Sequence, residues 1–195
     1  MANLCVLERC AFLLTVPVDT QLQHVLDMAC ASQVIPIDRG ELHISLSRPT
    51  ILRDHERAAY IRQVANAVRG VRPFVLSFSH FECFPSDTSG RVFLAVEIGA
   101  GKQHLSELSR MLDAVQNSFH APSYYNNAHF HTSFAYIDSN CTIPNSESRQ
   151  AGYNLASSLE SGIGNALRAV PPIATHDIGI KWDNTVEWVP LNRHE

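Results

Sequence analysis

Apolar and polar positions along this chain follow two rhythms: a period of two in short runs and a period of three to four in longer ones. The two rhythms take turns from one end to the other. A first strand is predicted over Cys10 to Val16. Asp19 or Thr20 can then cap a helix whose apolar stripe is Leu22, Val25, Leu26 and Ala29, ending before Pro36. A strand follows over Leu42 to Ser47, then a helix from Arg53 to Val68 that stops at Gly70. Phe74 to Phe81 and Arg91 to Ile98 read as two strands joined by the turn-rich Pro85-Ser86-Asp87-Thr88-Ser89-Gly90, a hairpin. The second half continues with a helix over 103–119, a strand over Phe130 to Ala135 and a helix from Glu147 to Ala169. It ends with strands at Thr175–Lys181 and Val186–Val189 around Asp183-Asn184. The order strand, helix, strand, helix, strand thus occurs twice. The expectation is an α+β protein, one domain over 1–195 made of two quasi-repeated lobes that face a central groove.

The middle strand of each repeat carries the same chemistry. Leu42-His43-Ile44-Ser45-Leu46-Ser47 and Phe130-His131-Thr132-Ser133-Phe134-Ala135 each place a Ser two residues after a His. Strand side chains alternate faces, so His43, Ser45 and Ser47 share one face and Leu42, Ile44 and Leu46 the other. His131 and Ser133 likewise stand opposite Phe130, Thr132 and Phe134. Two imidazole and hydroxyl pairs facing one cleft suit a reaction in which one proton is removed and another delivered while hydroxyls hold the charged group between them. With ten His in the chain, about one His-x-Ser triplet is expected by chance. A third triplet, His104-Leu105-Ser106, lies where Leu105, Leu108, Leu112, Val115 and Phe119 recur at helical spacing, so His104 reads as a solvated helix residue. Matched strand context, once in each half, is what sets the other two apart.

Composition narrows the setting. At 45% hydrophobic and 17% charged residues the 195-residue chain should fold as an ordinary soluble protein, and no run approaches the roughly 20 apolar residues of a membrane span. Neither a signal peptide nor a membrane anchor is expected. The five cysteines, at positions 5, 10, 30, 83 and 141, show no Cys-x-x-Cys spacing and argue for free thiols in a reducing compartment. A net charge of −4 speaks against broad adhesion to nucleic acid, though not against a small RNA site. Arg39, Arg48, Arg53, Arg57 and Arg62 cluster near the first motif but are interleaved with Asp38, Glu41, Asp54 and Glu56; Arg48 is the best phosphate candidate among them. His129 and His131 could bind zinc with His43 or His120, but no Asp, Glu or Cys spacing completes a site, so no metal is expected. His24, His55, His176 and His194 read as surface residues. Trp182 and Trp188 read as packing the last hairpin against the core, with an edge contact to RNA as the alternative.

The two His-x-Ser strands resemble the signature of the two-histidine (2H) phosphoesterases, a family with a bilobal fold of two antiparallel sheets flanked by helices around a central groove. The stretch Pro122-Ser123-Tyr124-Tyr125-Asn126-Asn127-Ala128-His129-Phe130-His131-Thr132-Ser133 is similar to the second-motif region of the branch that trims the 3′ oligouridine tail of U6 small nuclear RNA. The Leu-His-Ile-Ser-Leu-Ser motif, the hairpin from Phe78 to Ile98, Val16-Pro17, and the run Ile180 to Asn184 leading to Val189-Pro190-Leu191 extend the resemblance over nearly the whole chain. Ala128 stands where the branch usually has Pro, and Tyr136 where Trp is common.

The resemblance implies a metal-independent 3′→5′ exoribonuclease without cofactor. His43 and His131 would act as acid and base, and Ser45 and Ser133 would bind the phosphate. Tyr125, six residues before His131, would stack on the terminal nucleobase. The implied products are a freed nucleotide and a shortened RNA ending in a 2′,3′-cyclic phosphate or 3′-phosphate. The implied partner is an oligouridine RNA 3′ end, bound by a monomer in the nucleus. Two alternatives remain: another 2H branch acting on 2′,5′-oligoadenylate or cyclic phosphates, and a module that binds RNA 3′ ends without cutting them.

Overall fold

The computed structural model describes residues 7–30, 34–86, 89–126, 128–138, 146–183 and 185–191. Cys5, Cys141, the turn residues Asp87 and Thr88, Asn127, Asn184 and His194 lie outside the described residues.

Strand β1 (Leu7–Thr15) buries Cys10, Phe12 and Leu14 on one face, as its alternation requires. Helix α1 (Thr20–Ala29) begins where the side chain of Asp19 accepts from the Leu22 backbone N–H at 2.7 Å, and it buries the predicted stripe of Leu22, Val25, Leu26 and Ala29. A two-residue strand β2 (Ile35–Pro36) and the motif strand β3 (His43–Ser45) come next, followed by β4 (Thr50–Arg53) and α2 (Arg57–Val68). Then follow β5 (Phe74–Leu76), the hairpin β6 (Phe78–Pro85) and β7 (Arg91–Ile98), α3 (Lys102–Ser118) and the second motif strand β8 (His131–Asp138). The chain closes with α4 (Ser146–Arg168), β9 (Ile173–Thr175), β10 (Asp177–Trp182) and β11 (Thr185–Pro190).

Every strand pairing is antiparallel. The main sheet runs β11-β10-β1-β3-β8-β7-β6, with β4 also on β1 and β2 on β8, while β5 and β9 form a separate ribbon. The two antiparallel sheets expected from the sequence meet edge to edge. Their junction is a single register pair, Ile44 with Thr132, between the two motif strands.

One face of this sheet is the core. There Tyr60 of α2 stacks flat on Phe12, with ring centroids 5.4 Å apart, and meets Phe119 and Trp182 edge-on. Removing a ring of that size from water contributes about 2–3 kcal/mol. Helix α4 lies along β6 and β7, and close approach is built into its sequence: a Cβ added to Gly152 would fall 2.5 Å from Cγ1 of Val92. The helices cover this face, and the opposite face, carrying the odd-numbered residues of β1, is left open as a groove.

Four expected elements differ. The first motif strand stops at Ser45, because Ser47 turns inward and its hydroxyl accepts the Phe12 N–H at 2.9 Å. The helix expected from Arg53 begins at Arg57: residues 50–53 are held as a strand by β1, and Asp54–Glu56 make a tight turn closed by the Arg53 N–H donating to Glu56 Oε2 at 2.8 Å. The run from Phe74 to Phe81 breaks at Ser77, and that from Thr175 to Lys181 breaks at His176. Each is thereby split between the ribbon and the main sheet. A periodicity of two cannot show such breaks, since both pieces keep it.

Candidate active site

The single pair that joins the two half-sheets also sets the site. Ile44 and Thr132 are both fully buried and point to the core, so their neighbours on each strand point to the groove. Because the strands are antiparallel, this register sets His43 across from Ser133 and Ser45 across from His131, a crosswise arrangement about a local pseudo-twofold axis. The four side chains line a cleft of about 280 Å³ together with Ile37, Glu41 and Phe93.

Both imidazoles are oriented the same way. His43 Nδ1 lies 2.7 Å from the Glu41 carbonyl oxygen, and His131 Nδ1 lies 2.6 Å from the His129 carbonyl oxygen. A carbonyl only accepts, so Nδ1 carries the hydrogen in each ring and donates it. Nε2 is then the nitrogen that can take up or release a proton in the cleft. Strand geometry produces this bond twice: each acceptor belongs to the residue two positions before the His.

The surroundings differ. Phe84 stacks on the His131 ring with centroids 3.9 Å apart and planes 14° from parallel. Burial pushes the His131 pKa below the ordinary imidazole value, aided by the nearby His129 and His43; the bond to the His129 carbonyl and the charge of Glu97 oppose the shift without cancelling it. Glu97 is paired in register with His131 and is 6% exposed. Burial alone would raise its carboxyl, but Lys102, hydrogen-bonded to Oε1, and the neighbouring His80 and His129 hold it below the usual range. His80 Nε2 is 3.3 Å and His129 Nδ1 is 3.8 Å from Glu97 Oε2. His129 thus faces the Glu97 cluster.

Tyr125 stands outside the cleft lining. It is 57% exposed, and the Arg48 guanidinium lies 4.1 Å from its ring centroid. Its neighbour Tyr124 ties the loop down, donating its hydroxyl to the Ser45 carbonyl at 3.1 Å and its N–H to Asp113 Oδ1 at 2.7 Å. Tyr125 is therefore held beside the end of the first motif, with one ring face taken by Arg48. Of the two departures noted in the sequence, Ala128 packs against the core, and Tyr136 lies 6.0 Å from Phe93 of the cleft, under the guanidinium of Arg91.

His104 lies on the exposed side of α3 with its ring stacked on Phe74, away from both motifs. Trp182 is buried, as expected, but Trp188 is not: it is 49% exposed on the groove face, paired in register with Gly179. A side chain at 179 would meet Trp188 Cζ3 at 3.0 Å, so the bare backbone of β10 is what lets the indole lie across the sheet. Phe84 and Glu97 were missed by sequence reasoning. A signal for Glu97 was present, a lone carboxylate in the otherwise apolar run Val92 to Ile98; none existed for Phe84, whose contact depends on long-range strand register.

Comparison with known proteins bears on this geometry. The profile of a family described as "HVSL: Uncharacterised conserved protein" matches residues 7–187. U6 snRNA phosphodiesterase 1 of Danio rerio is 27% identical over 96 residues, 49% of this chain and 35% of that protein. The match thus spans about a third of the relative's length. The structure of Kluyveromyces marxianus Usb1 with uridine monophosphate superposes with a TM-score of 0.75 at 18% identity, covering 94% of this chain and 98% of that one. E. coli LigT complexed with 3′-AMP superposes with a TM-score of 0.60 at 13% identity over 97% of this chain and 98% of that one. At these identities the likeness to the solved structures is one of fold.

Proposed function

The chain belongs to the HVSL family and has the fold of the two-histidine phosphoesterases; on that premise we propose that it is a metal-independent RNA phosphodiesterase that removes nucleotides from an oligouridine 3′ end, U6 small nuclear RNA being its substrate. The observation that carries this reading is the crosswise pair of imidazoles and hydroxyls on β3 and β8, with both Nδ1 atoms engaged and both Nε2 atoms left for proton transfer.

In this reading the scissile phosphodiester lies between the motifs. One Nε2 takes the proton of the 2′ hydroxyl on the penultimate nucleotide while that oxygen attacks phosphorus. The bond to the 5′ oxygen of the last nucleoside breaks, and the other Nε2 protonates the departing oxygen. The shortened RNA ends in a 2′,3′-cyclic phosphate. Ser45 and Ser133 donate to the non-bridging oxygens, whose charge grows in the transition state. Two imidazoles supply both proton movements, so the chemistry requires no metal. His131, whose burial favours the neutral form, is assigned the base, and His43 the acid. Tyr125 offers its exposed ring, flanked by Arg48 and Tyr124, to the terminal base. The name of the Danio rerio protein supports the small nuclear RNA assignment and with it a nuclear place of action, and the uridine monophosphate bound to the Kluyveromyces marxianus protein supports a uridine-ended substrate.

The test is a trimming assay with excess EDTA on a 5′-labelled RNA ending in several uridines, with His43→Ala and His131→Ala in parallel and product ends read by mass spectrometry. Stepwise shortening to cyclic or 3′-phosphate ends, reduced at least about 10²-fold in each variant, is the expected result. A wild type that leaves this RNA intact would overturn the oligouridine assignment. Cleavage of 2′,5′-linked oligoadenylate instead would move it to that substrate.

A further inference from the structure

We propose that Arg9 and Lys181 form a second phosphate subsite beside His43, which holds the phosphate next to the scissile one in a longer RNA. The inference rests on the phosphodiesterase reading above and extends it outward from the cleft.

A second pocket of about 380 Å³ adjoins the first motif, and its lining includes Arg9, His43, Ser45, Lys181 and Asp183. It shares His43 and Ser45 with the catalytic cleft, so a chain leaving the cleft on that side enters it directly. Register explains why the two cations meet there. Leu13 pairs with Ser45, and Ala11 pairs with Lys181, so Arg9, Ala11, Leu13, Lys181 and Ser45 all project from the groove face.

Four other cations of the fold are neutralised by carboxylates. Arg39 pairs with Asp27, Arg57 with Glu8 and Glu187, Lys102 with Glu97, and Arg168 with Glu160. Among the described residues Arg9 and Lys181 make no ion pair, and both are exposed. Among the described residues that line the pocket Asp183 is the one carboxylate, which leaves Arg9, Lys181 and Asp183 with a net charge of +1 in a chain of net charge −4. Two unpaired cations of different reach beside a phosphodiester site fit one further phosphate: a guanidinium that can bond two oxygens and an ammonium acting as a point charge.

The subsite has a length signature. The dinucleoside UpU carries only the scissile phosphate, whereas UpUpU carries one more on the upstream side. Removing both cations, as Arg9→Ala with Lys181→Ala, is expected to raise KM for UpUpU about tenfold more than KM for UpU, with kcat for both little changed. It should also flatten the dependence of log(kcat/KM) on log[salt] for UpUpU by about 0.7, the loss of one phosphate contact on a single strand. The charge-conserving pair Arg9→Lys with Lys181→Arg should restore most of the difference, which a loss of fold would not allow. Equal KM effects on UpU and UpUpU, or no effect on either, would overturn the subsite while leaving the two-His reaction standing. A wild type that cleaves neither compound would remove the phosphodiesterase reading, and the subsite with it.

Discussion

The motif strands β3 and β8 use one local device in two different environments. Each holds its His by the same Nδ1 bond to the carbonyl two residues back. Yet His131 lies under the ring of Phe84 beside a buried carboxylate, whereas His43, beyond the cleft the two share, opens onto two neighbouring pockets that reach Lys181 and Asp183. In the proposed reaction, sequence symmetry sets the geometry of proton transfer and asymmetry of packing divides the labour. A pair of imidazoles in equal surroundings would hold the same protonation state at most pH values. Burial of His131 favours its neutral form, which is the form the proposed base requires.

The crosswise register gives the sharpest way to break this comparison. If the pseudo-twofold arrangement holds the phosphate, Ser45→Ala and Ser133→Ala should each lower kcat by about 10²–10³-fold, with KM little changed. A large loss for one serine and none for the other, in single-turnover rates, would mean that only one half binds the phosphate. The next effect in size concerns Tyr125. Its replacement by Ala should raise KM for oligouridine by about 5–150-fold, the equivalent of 1–3 kcal/mol of stacking, with a smaller change in kcat. Unchanged KM would leave the ring as a surface partner for Arg48 alone.

Smallest, and most specific to the asymmetry, are the shifts around His131. As base, His131 must be neutral, so kcat/KM falls as pH drops through its pKa, and that limb should lie below about 6.5. Phe84→Ala opens the ring to water and should move the limb up towards the ordinary value. Glu97→Gln removes a negative charge that favours the imidazolium and should move it further down. Opposite shifts from two neighbours of one ring, read in pH profiles of kcat/KM, would be hard to produce by a general loss of structure. Shifts in the same direction would break the assignment of His131.

What the sequence revealed and what it hid follow one physical line. The motif histidines and serines were legible because strand alternation is local, and an apolar face opposite a His/Ser face is written in consecutive residues. The helices α1, α3 and α4 were legible for the same reason, with Asp19 giving even the start of the first. The cap over His131, the cationic pocket beside His43 and the exposure of Trp188 were not, since each depends on which strands pair and in what register. Phe84 reaches His131 only because β6, β7 and β8 are adjacent. Trp188 is a large ring in an apolar strand like the buried Trp182, and only the pairing with Gly179 shows why it lies across an open face instead. The breaks at Ser77 and His176 were likewise invisible, being choices of partner rather than of local conformation.

The pH dependence of kcat/KM for the wild-type protein on UpU, measured from pH 5 to 9 with EDTA present, tests the central claim most directly. Two imidazoles in opposite protonation states should give a bell-shaped curve whose acid limb lies below about 6.5. A flat curve across that range would contradict acid–base catalysis by His43 and His131.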